Sequence, residues 1–361
     1  MRFSFNTPLI ISTFALTLAM IVTWAIKNSY APLGFRPFSP ALHMTLDSLI
    51  FCADMPMCFR VGTSLVFAPF SQILHFAETT FGVPDILRLS AAKLYMTGLF
   101  FLIVFGFLFS GRLRIQALFL SLFIINPFFY SAVGLIHYDI STLALWSVVF
   151  MCANRIAAFT LTQRLLLIFA GGMIFENNGA ILAFMFWALD LRHFVFTECK
   201  SLRSLFLPAI WSGFKYLGVA ICAPLFVYVI SYIQSDGNVF FLKDGGTPYD
   251  LIQNYGAKNT VKFTISKIGE VTWVAWLCLI IYSIVSKLRN RGRSSDRVNI
   301  LRDGGRSFVV LCCLFGFMIT IGVGQLTSGI VWEWPRQFLP LSFMSYFLAA
   351  SIINDGLNRT S

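Results

Sequence analysis

Long apolar runs separated by short polar stretches dominate this chain. An apolar stretch of roughly 20 residues is the length of an α-helix that crosses a bilayer core. The pattern therefore predicts an all-α polytopic membrane protein with about ten transmembrane helices, forming a single transmembrane domain over residues 1–361. The runs lie near 8–26, 91–110, 115–135, 141–153, 165–175, 179–191, 205–233, 271–286, 307–327 and 337–353.

Three connections between the runs are longer than the others. Residues 27–90 form a predicted first outer loop, and its stretch 62–76 is amphipathic and too short to span comfortably. We predict that this stretch is a helix lying at the membrane interface. Residues 234–270 contain the turn signals SDG, KDGG and TPYD and form a predicted second outer loop. Residues 287–306 are rich in arginine and form a predicted cytoplasmic loop.

Positive charge alternates between the connections, and this alternation predicts the orientation. Cytoplasmic loops of membrane proteins carry an excess of lysine and arginine. Placing the basic connections in the cytoplasm also puts both termini there and leaves the two long loops outside. The basic connections contain Arg112 and Arg114, then Arg155 and Arg164, then Arg192, Lys200 and Arg203, and finally the 287–306 loop.

Composition agrees with a membrane protein. The chain is 57% hydrophobic and 12% charged, with a formal net charge of +11. Because most of the positive charge sits in short loops between apolar runs, the composition argues against nucleic-acid binding. The single Asn-x-Ser/Thr sequon, at Asn358, falls on the predicted cytoplasmic side. This position favours a bacterial membrane.

The eight cysteines do not form a zinc-binding pattern. Those in apolar runs are predicted to be small buried hydrophobic side chains. Cys52 and Cys58 share the first outer loop, where they are either free or joined in a disulfide. The cysteines of the apolar runs are Cys152, Cys222, Cys278, Cys312 and Cys313.

Acidic residues near the predicted outer face are the first candidates for chemistry, because charges in or beside a membrane are costly. Asp47 and Asp54 lie among apolar residues of the first outer loop. Either can act as a general base for a hydroxyl or hold a divalent metal against a phosphate, or it can be a solvated loop acid. His137, Tyr138 and Asp139 lie at the outer end of the third run. Asp139 is either a helix cap or part of a site.

Further polar candidates occur in the other predicted outer segments. Glu176 and the two asparagines after it are predicted to form a tight turn between two short runs. Arg60 and Lys243 lie in the two long outer loops, where they either are solvated or attract an anionic headgroup.

The stretch GIVWEWPRQFLPL places Glu333 and Arg336 among tryptophans and a proline. Tryptophans of this kind are typical of the membrane interface. An arginine on the outer side goes against the usual charge bias, and guanidinium grips phosphate oxygens bidentately. We interpret Arg336 as a contact for a lipid-linked phosphate.

In their order along the chain, these residues resemble the GT-C superfamily of membrane glycosyltransferases. The resemblance is to the branch of protein O-mannosyltransferases and the lipid A aminoarabinose transferase. It departs from that branch at Ser48, where the family commonly has a second acid, in the single proline at 69, and in lacking a large C-terminal soluble domain. The matching residues are Asp47, Pro69, Gly82, Arg88, Pro127, Asp139, Arg336 and Pro340.

The resemblance implies a GT-C-like fold and an inverting sugar transfer from a polyprenyl-phosphate donor to a surface glycan or lipid-linked acceptor. Asp47 or Asp54 would be the catalytic base, and Arg336, with Arg60 or Lys243, would neutralise the departing phosphate. A divalent metal, Mg²⁺ or Mn²⁺, is left open, with Asp47 and Asp139 as its candidate ligands. The expected location is a bacterial inner membrane with a periplasmic active site that serves lipopolysaccharide synthesis.

Two other function classes fit the same pattern. O-antigen polymerases are also many-pass proteins with arginines in long outer loops, and they join whole repeat units. A transporter or lipid flippase is the other alternative. The chain has no internal repeat of the kind that transporters often show.

Overall fold

The computed structural model describes residues 139–198, 202–234, 257–289, 305–328 and 339–359, together with short stretches between residues 73 and 99. These segments are mostly helical, and no strand occurs among them. The long helices are α1 (Asp139–Met151), α2 (Leu161–Ile174), α3 (Glu176–His193), α4 (Leu202–Gln234), α5 (Ala257–Arg289), α6 (Arg306–Ser328) and α7 (Leu339–Arg359).

Each of the seven helices coincides with one of the apolar runs, so the all-helical prediction is confirmed for this part of the chain. Helix α5 begins earlier than expected, at Ala257, so residues 257–270 of the predicted second outer loop are helical. The turn signals of that loop all precede residue 251, and after Gly256 the segment has no glycine before Gly269. The predicted count of about ten spans and the likeness to GT-C proteins depend on residues outside the described segments.

Three of the described helices are long and apolar enough to cross a membrane, by length and composition. Their apolar windows cover Asn177–Phe196, Leu207–Phe226 and Ile265–Ile284. Large hydrophobic side chains cover the outward faces of α4 and α5, including Trp211, Phe214 and Trp273, which are more than half exposed. Apolar faces of this extent are suited to contact with lipid. These three helices indicate a membrane protein.

Helix α3 lies at the centre of the described bundle. It packs against α2, α4 and α6, while α7 packs against α5 and α6. Stacked rings join α1 to α7: the Phe150 ring lies 4.9 Å from that of Phe347 and 5.6 Å from that of Phe343, centroid to centroid. Trp146, Phe150 and Phe347 are among the largest fully buried side chains. Aromatic stacking of this kind adds to the free energy gained from burial.

Basic residues from three connections meet at one end of the bundle, which we call the basic end. Arg164 near the start of α2 bonds to Asp190 near the end of α3. The guanidinium of Arg192, at the end of α3, lies 5.8 Å from the ring of Phe308 at the start of α6. Arg306 begins α6, and its guanidinium lies 5.9 Å from the ring of Phe347. The alternating charge pattern therefore corresponds to a real clustering in space.

Helices α2, α3 and α4 cross closely because small residues line the crossing. A Cβ placed on Gly179 of α3 would lie 2.9 Å from Cα of Gly172 on α2. A Cβ on Gly172 would in turn lie 2.8 Å from the Cβ of Ala223 on α4. Small residues at helix crossings let backbones approach, and the approach supplies the van der Waals contact that holds membrane helices together.

The cysteine prediction is confirmed for Cys312 and Cys313, which are buried, but is wrong for Cys222. Cys222 is exposed on α4 beside Ile221, which is 49% exposed, on a face suited to lipid. Apolarity in a membrane helix does not distinguish a side chain facing lipid from one facing the core. Cys152 and Cys278 are half-buried, and Cys52 and Cys58 lie outside the described residues.

The described positions between 73 and 99 bear on two predictions. Ile73 and Phe76, from the predicted interfacial helix, are helical and each is 60% exposed. Gly82 has a φ of 61°, a conformation that glycine adopts at no steric cost, so it can end the helical residues before it.

We expect Gly179→Ala to lower the free energy of unfolding by about 1–3 kcal/mol, because the new methyl group overlaps the α2 backbone. Gly218→Ala is the matched control, since a Cβ there would meet nothing within 4 Å. That control should be neutral or stabilising by up to about 1 kcal/mol, as alanine favours helix more than glycine does. Denaturant titration in mixed micelles measures both. Equal effects at the two positions would contradict the close crossing.

Candidate functional site

Two of the residues predicted from sequence to form the site fall in the described part of the chain. Asp139 is the first residue of α1, and Glu176 is the first residue of α3. The other predicted site residues lie outside the described residues: Asp47, Asp54, Arg60, His137, Tyr138, Lys243, Glu333 and Arg336.

The first turns of α1 and α3 are joined by hydrogen bonds through Asn178. The side-chain amide Nδ2 of Asn178 donates to Oγ1 of Thr142 at 3.2 Å, and the indole Nε1 of Trp146 donates to Oδ1 of Asn178 at 3.2 Å. Thr142 lies three residues after Asp139, and Asn178 lies two residues after Glu176. The structure thus brings the helix starts that carry Asp139 and Glu176 together at one end of the bundle.

This polar link is buried. Asn178 and Thr142 are each 1% exposed, and Trp146 is fully buried. A buried amide or indole N–H without a partner would cost about 1–3 kcal/mol, so these hydrogen bonds fix the relative position of α1 and α3. Asn178 therefore holds this end of the bundle together.

The predicted tight turn over Glu176, Asn177 and Asn178 is wrong. Those residues form the first turn of α3, and the break between α2 and α3 is the single residue Phe175, with φ −162° and ψ 130°. The backbone N–H of Phe175 still donates to the carbonyl of Gly171 at 3.1 Å, and its carbonyl accepts from the N–H of Asn178 at 2.9 Å. Acidic and amide residues favour helix N-termini, so the sequence signal marked a helix start.

A second polar cluster lies at the basic end, about 18 Å along α3 from Asn178 at 1.5 Å per residue. Its centre is Asp190. Oδ1 of Asp190 accepts from Nη1 of Arg164 at 2.6 Å. Oδ2 accepts from the hydroxyls of Ser212 at 2.6 Å and Tyr216 at 2.9 Å. The cluster joins α2, α3 and α4.

Arg164 is held by several groups besides Asp190. Its Nε donates to the carbonyl of Phe159 at 3.0 Å, and Nη2 donates to the carbonyl of Ala157 at 2.8 Å. Nη1 also donates to the hydroxyl of Tyr216 at 3.1 Å, and the guanidinium lies 5.4 Å from the ring centroid of Phe186. With both charges matched and their hydrogen-bonding capacity largely used, the pair is suited to fixing helices in place.

A cavity of about 160 Å³ opens beside this cluster, between α3 and α4. Its polar lining consists of Asp190, Ser212, Lys215 and Tyr216, and aromatic and aliphatic side chains form the rest. A cavity of this size and polarity accommodates several waters or a small polar group. It lies at the opposite end of α3 from Glu176.

Sequence reasoning missed Asp190, although a signal for it existed. Asp190 is the one acid in the apolar run 179–191, and an acid inside such a run needs a partner. Arg164 belongs to a basic connection whose charge fits the positive-inside pattern by itself, so the sequence gives no reason to pair it with Asp190. Their separation of 26 residues in sequence hides the pair.

The predicted metal site is not tested by this geometry. Among the residues that the structure describes, no group of three or more His, Cys, Asp or Glu side chains is placed to hold a metal ion. Asp47 lies outside those residues, and for Asp139 only the backbone position is described.

In comparisons with known proteins, no family model, curated protein or solved structure matches the chain.

We expect Asp190→Asn to lower the free energy of unfolding by about 2–3 kcal/mol, because Arg164 keeps its charge without a counter-charge. We expect a smaller loss of stability than for a fully buried pair, because the side chains of Arg164 and Asp190 are 15% and 23% exposed.

The matched control is Glu270→Gln. Glu270 pairs with Lys267 at 2.7 Å on α5, but its side chain is 51% exposed. We expect a change within about 0.5 kcal/mol there, because water screens the pair. Mixed-micelle unfolding reports both values. Similar losses for the two variants would show that the cluster at Asp190 is no more than a surface ion pair.

Proposed function

We propose that this chain is an integral membrane glycosyltransferase that moves a sugar from a polyprenyl-phosphate donor to a surface glycan or lipid-linked acceptor. The reaction takes place at the outer face of a bacterial inner membrane, with both termini in the cytoplasm. The basic end of the bundle then faces the cytoplasm, and the joined starts of α1 and α3 face the periplasm.

The joining of two helix starts is the structural observation that supports the proposal most. Asp139 and Glu176 are acids that the sequence predicts near the outer face, and the helices that they begin are hydrogen-bonded through Asn178, at 3.2 Å to Thr142. Both starts lie at the end away from Arg164 and Asp190. The positive-inside pattern and the helix packing therefore support the same orientation.

The order of motifs along the chain gives further support. An outer acid at Asp47, a second at Asp139 and a late arginine at Arg336 follow the order seen in GT-C glycosyltransferases, which they resemble. Such enzymes take their sugar from a lipid carrier. A chain without a nucleotide-binding motif fits that donor, since no Walker loop or dinucleotide fingerprint occurs in the sequence.

The chemistry requires a base on one side of the sugar and a cation on the other. Asp47 or Asp54 takes the proton from the acceptor hydroxyl, whose oxygen bonds to the anomeric carbon. The bond from that carbon to the phosphate oxygen breaks, and the electron pair leaves with the polyprenyl phosphate. Arg336, with Arg60 or Lys243, stabilises the negative charge that develops there. Attack opposite the leaving group inverts the anomeric configuration.

Glycan mass analysis of a deletion strain beside its parent tests the reaction class. Loss of the mass of one sugar from each repeat unit or acceptor is the expected result. Shortened chains built from intact repeat units would instead support a polymerase. Unchanged glycans, together with counterflow of a labelled lipid or solute in proteoliposomes, would support a transporter and overturn the proposal.

The base is tested by Asp47→Asn and Asp54→Asn, made separately. We expect the variant that removes the base to lose transfer by about 10²–10⁴-fold, the usual contribution of general base catalysis. Sugar transfer is measured in membranes with a labelled polyprenyl-phosphate sugar, at matched protein levels.

Glu270→Gln serves as the control, because it removes an exposed carboxylate from α5 without touching a candidate site residue. Its transfer rate should equal that of the unaltered protein. Full transfer by both aspartate variants would remove these two carboxylates from the mechanism.

A further inference from the structure

Lys215 lines the cavity at the basic end and is a charged residue in an apolar helix. This lysine lies on α4, within the apolar stretch Leu207–Phe226, and it is exposed on the same side as Trp211 and Phe214, which are 63% and 66% exposed. An ammonium group on a face of this kind is costly unless it reaches a polar layer.

Lys215 extends toward the basic end. Its Nζ lies 5.5 Å from the ring centroid of Trp211, one turn closer to the start of α4. Long basic side chains on membrane helices bend in this way to bring the charge to the headgroup layer. Tryptophan is itself enriched in that layer. The ammonium is therefore directed along α4 toward the headgroup layer at the basic end.

The charge balance around the cavity is positive. Asp190 lines the cavity, but its carboxylate is matched by Arg164 at 2.6 Å and by the hydroxyls of Ser212 and Tyr216. Lys215 has no carboxylate partner among the residues that the structure describes. The sum for Asp190, Arg164 and Lys215 is one net positive charge, from −1, +1 and +1. A bound anion would balance that charge.

The donors available to such an anion are the Lys215 ammonium and the Trp211 indole. The ammonium carries three N–H donors and the indole carries one. The indole N–H makes no hydrogen bond to the described part of the chain. Lys215 and Trp211 both line the cavity, whose volume of about 160 Å³ leaves room for a phosphate group.

An apolar track continues from the cavity along α4. Cys222 is exposed and Phe226 is 49% exposed, and at seven and eleven positions after Lys215 they lie on the same face of α4, farther from the basic end. A lipid whose phosphate occupies the cavity would lay an acyl chain on this track. A free phosphate ion would use the donors but not the track.

We propose that the cavity binds the phosphate of an anionic phospholipid from the leaflet at the basic end. Lys215 and Trp211 hold the phosphate, and α4 supports an acyl chain. The site lies on the far side of the bundle from the proposed sugar-transfer chemistry and is independent of it.

Native mass spectrometry of the delipidated full-length protein, titrated with phosphatidylglycerol or phosphatidylcholine, tests the proposal. We expect preferential binding of phosphatidylglycerol, and we expect Lys215→Gln to weaken it about fivefold, the effect of one lysine near an anionic headgroup. Lys215→Arg should retain binding. Lys262→Gln, which removes an exposed lysine from α5, should leave it unchanged.

Three results would overturn the proposal. These are equal affinity for the two lipids, equal loss in Lys215→Gln and Lys262→Gln, or complete displacement of phosphatidylglycerol by inorganic phosphate, which would identify a site for the free ion. If Lys215→Gln unfolds in detergent, Trp211→Phe replaces it. That variant keeps an aromatic ring and removes the indole N–H, so a weakened preference supports the site and an unchanged preference opposes it.

Discussion

The bundle depends on α3, which contacts its neighbours specifically at three places along its length. At the basic end, Asp190 binds Arg164 and two hydroxyls in a setting where an unmatched charge is costly. In the first turn, Asn178 accepts from one neighbour and donates to another on α1. Close to that first turn, Gly179 allows the α2 backbone to approach. Polar matching fixes the rotation of α3, and close packing fixes its distance from α2.

Sequence pattern predicted the helices well because apolar length is a property of each segment by itself. The seven described helices coincide with runs that were visible in the sequence. The break at Phe175 was not predictable in the same way. An extended backbone at one phenylalanine leaves no compositional mark, whereas the polar residues that follow it do, and those residues start a helix. The exposed Cys222 shows the same limit, since the face of a lipid-bathed helix is set by its neighbours.

The candidate site was predictable only in part for a related reason. Asp139 and Glu176 could be selected because acids near apolar runs are costly, and their helix starts prove to be joined. Asn178 forms the hydrogen bonds that join them. From the sequence it could not be distinguished from a turn residue, because its partners Thr142 and Trp146 belong to a helix 32 or more residues away. Asp190 and Arg164 form a similar long-range pair, and such a pair is recognisable only once the topology is known. The two ends of α3 therefore differ in kind: the first turn lies beside the start of α1, at the end where the proposal places the outer-face acids, and the other end carries an acid whose charge is already matched.

The brevity of α2 has a consequence for the surrounding bilayer. Its 14 residues rise roughly 21 Å at 1.5 Å each, against about 30 Å for a typical hydrocarbon core. Helix α2 packs along α3. On the α2 side of this pair, the apolar surface that lipid meets is therefore shorter than the hydrocarbon core is thick. Membranes respond to such hydrophobic mismatch by thinning locally, at a cost of a fraction of a kcal/mol per ångström. A dimple at the Phe175 junction would bring the surrounding lipid headgroups toward the starts of α1 and α3.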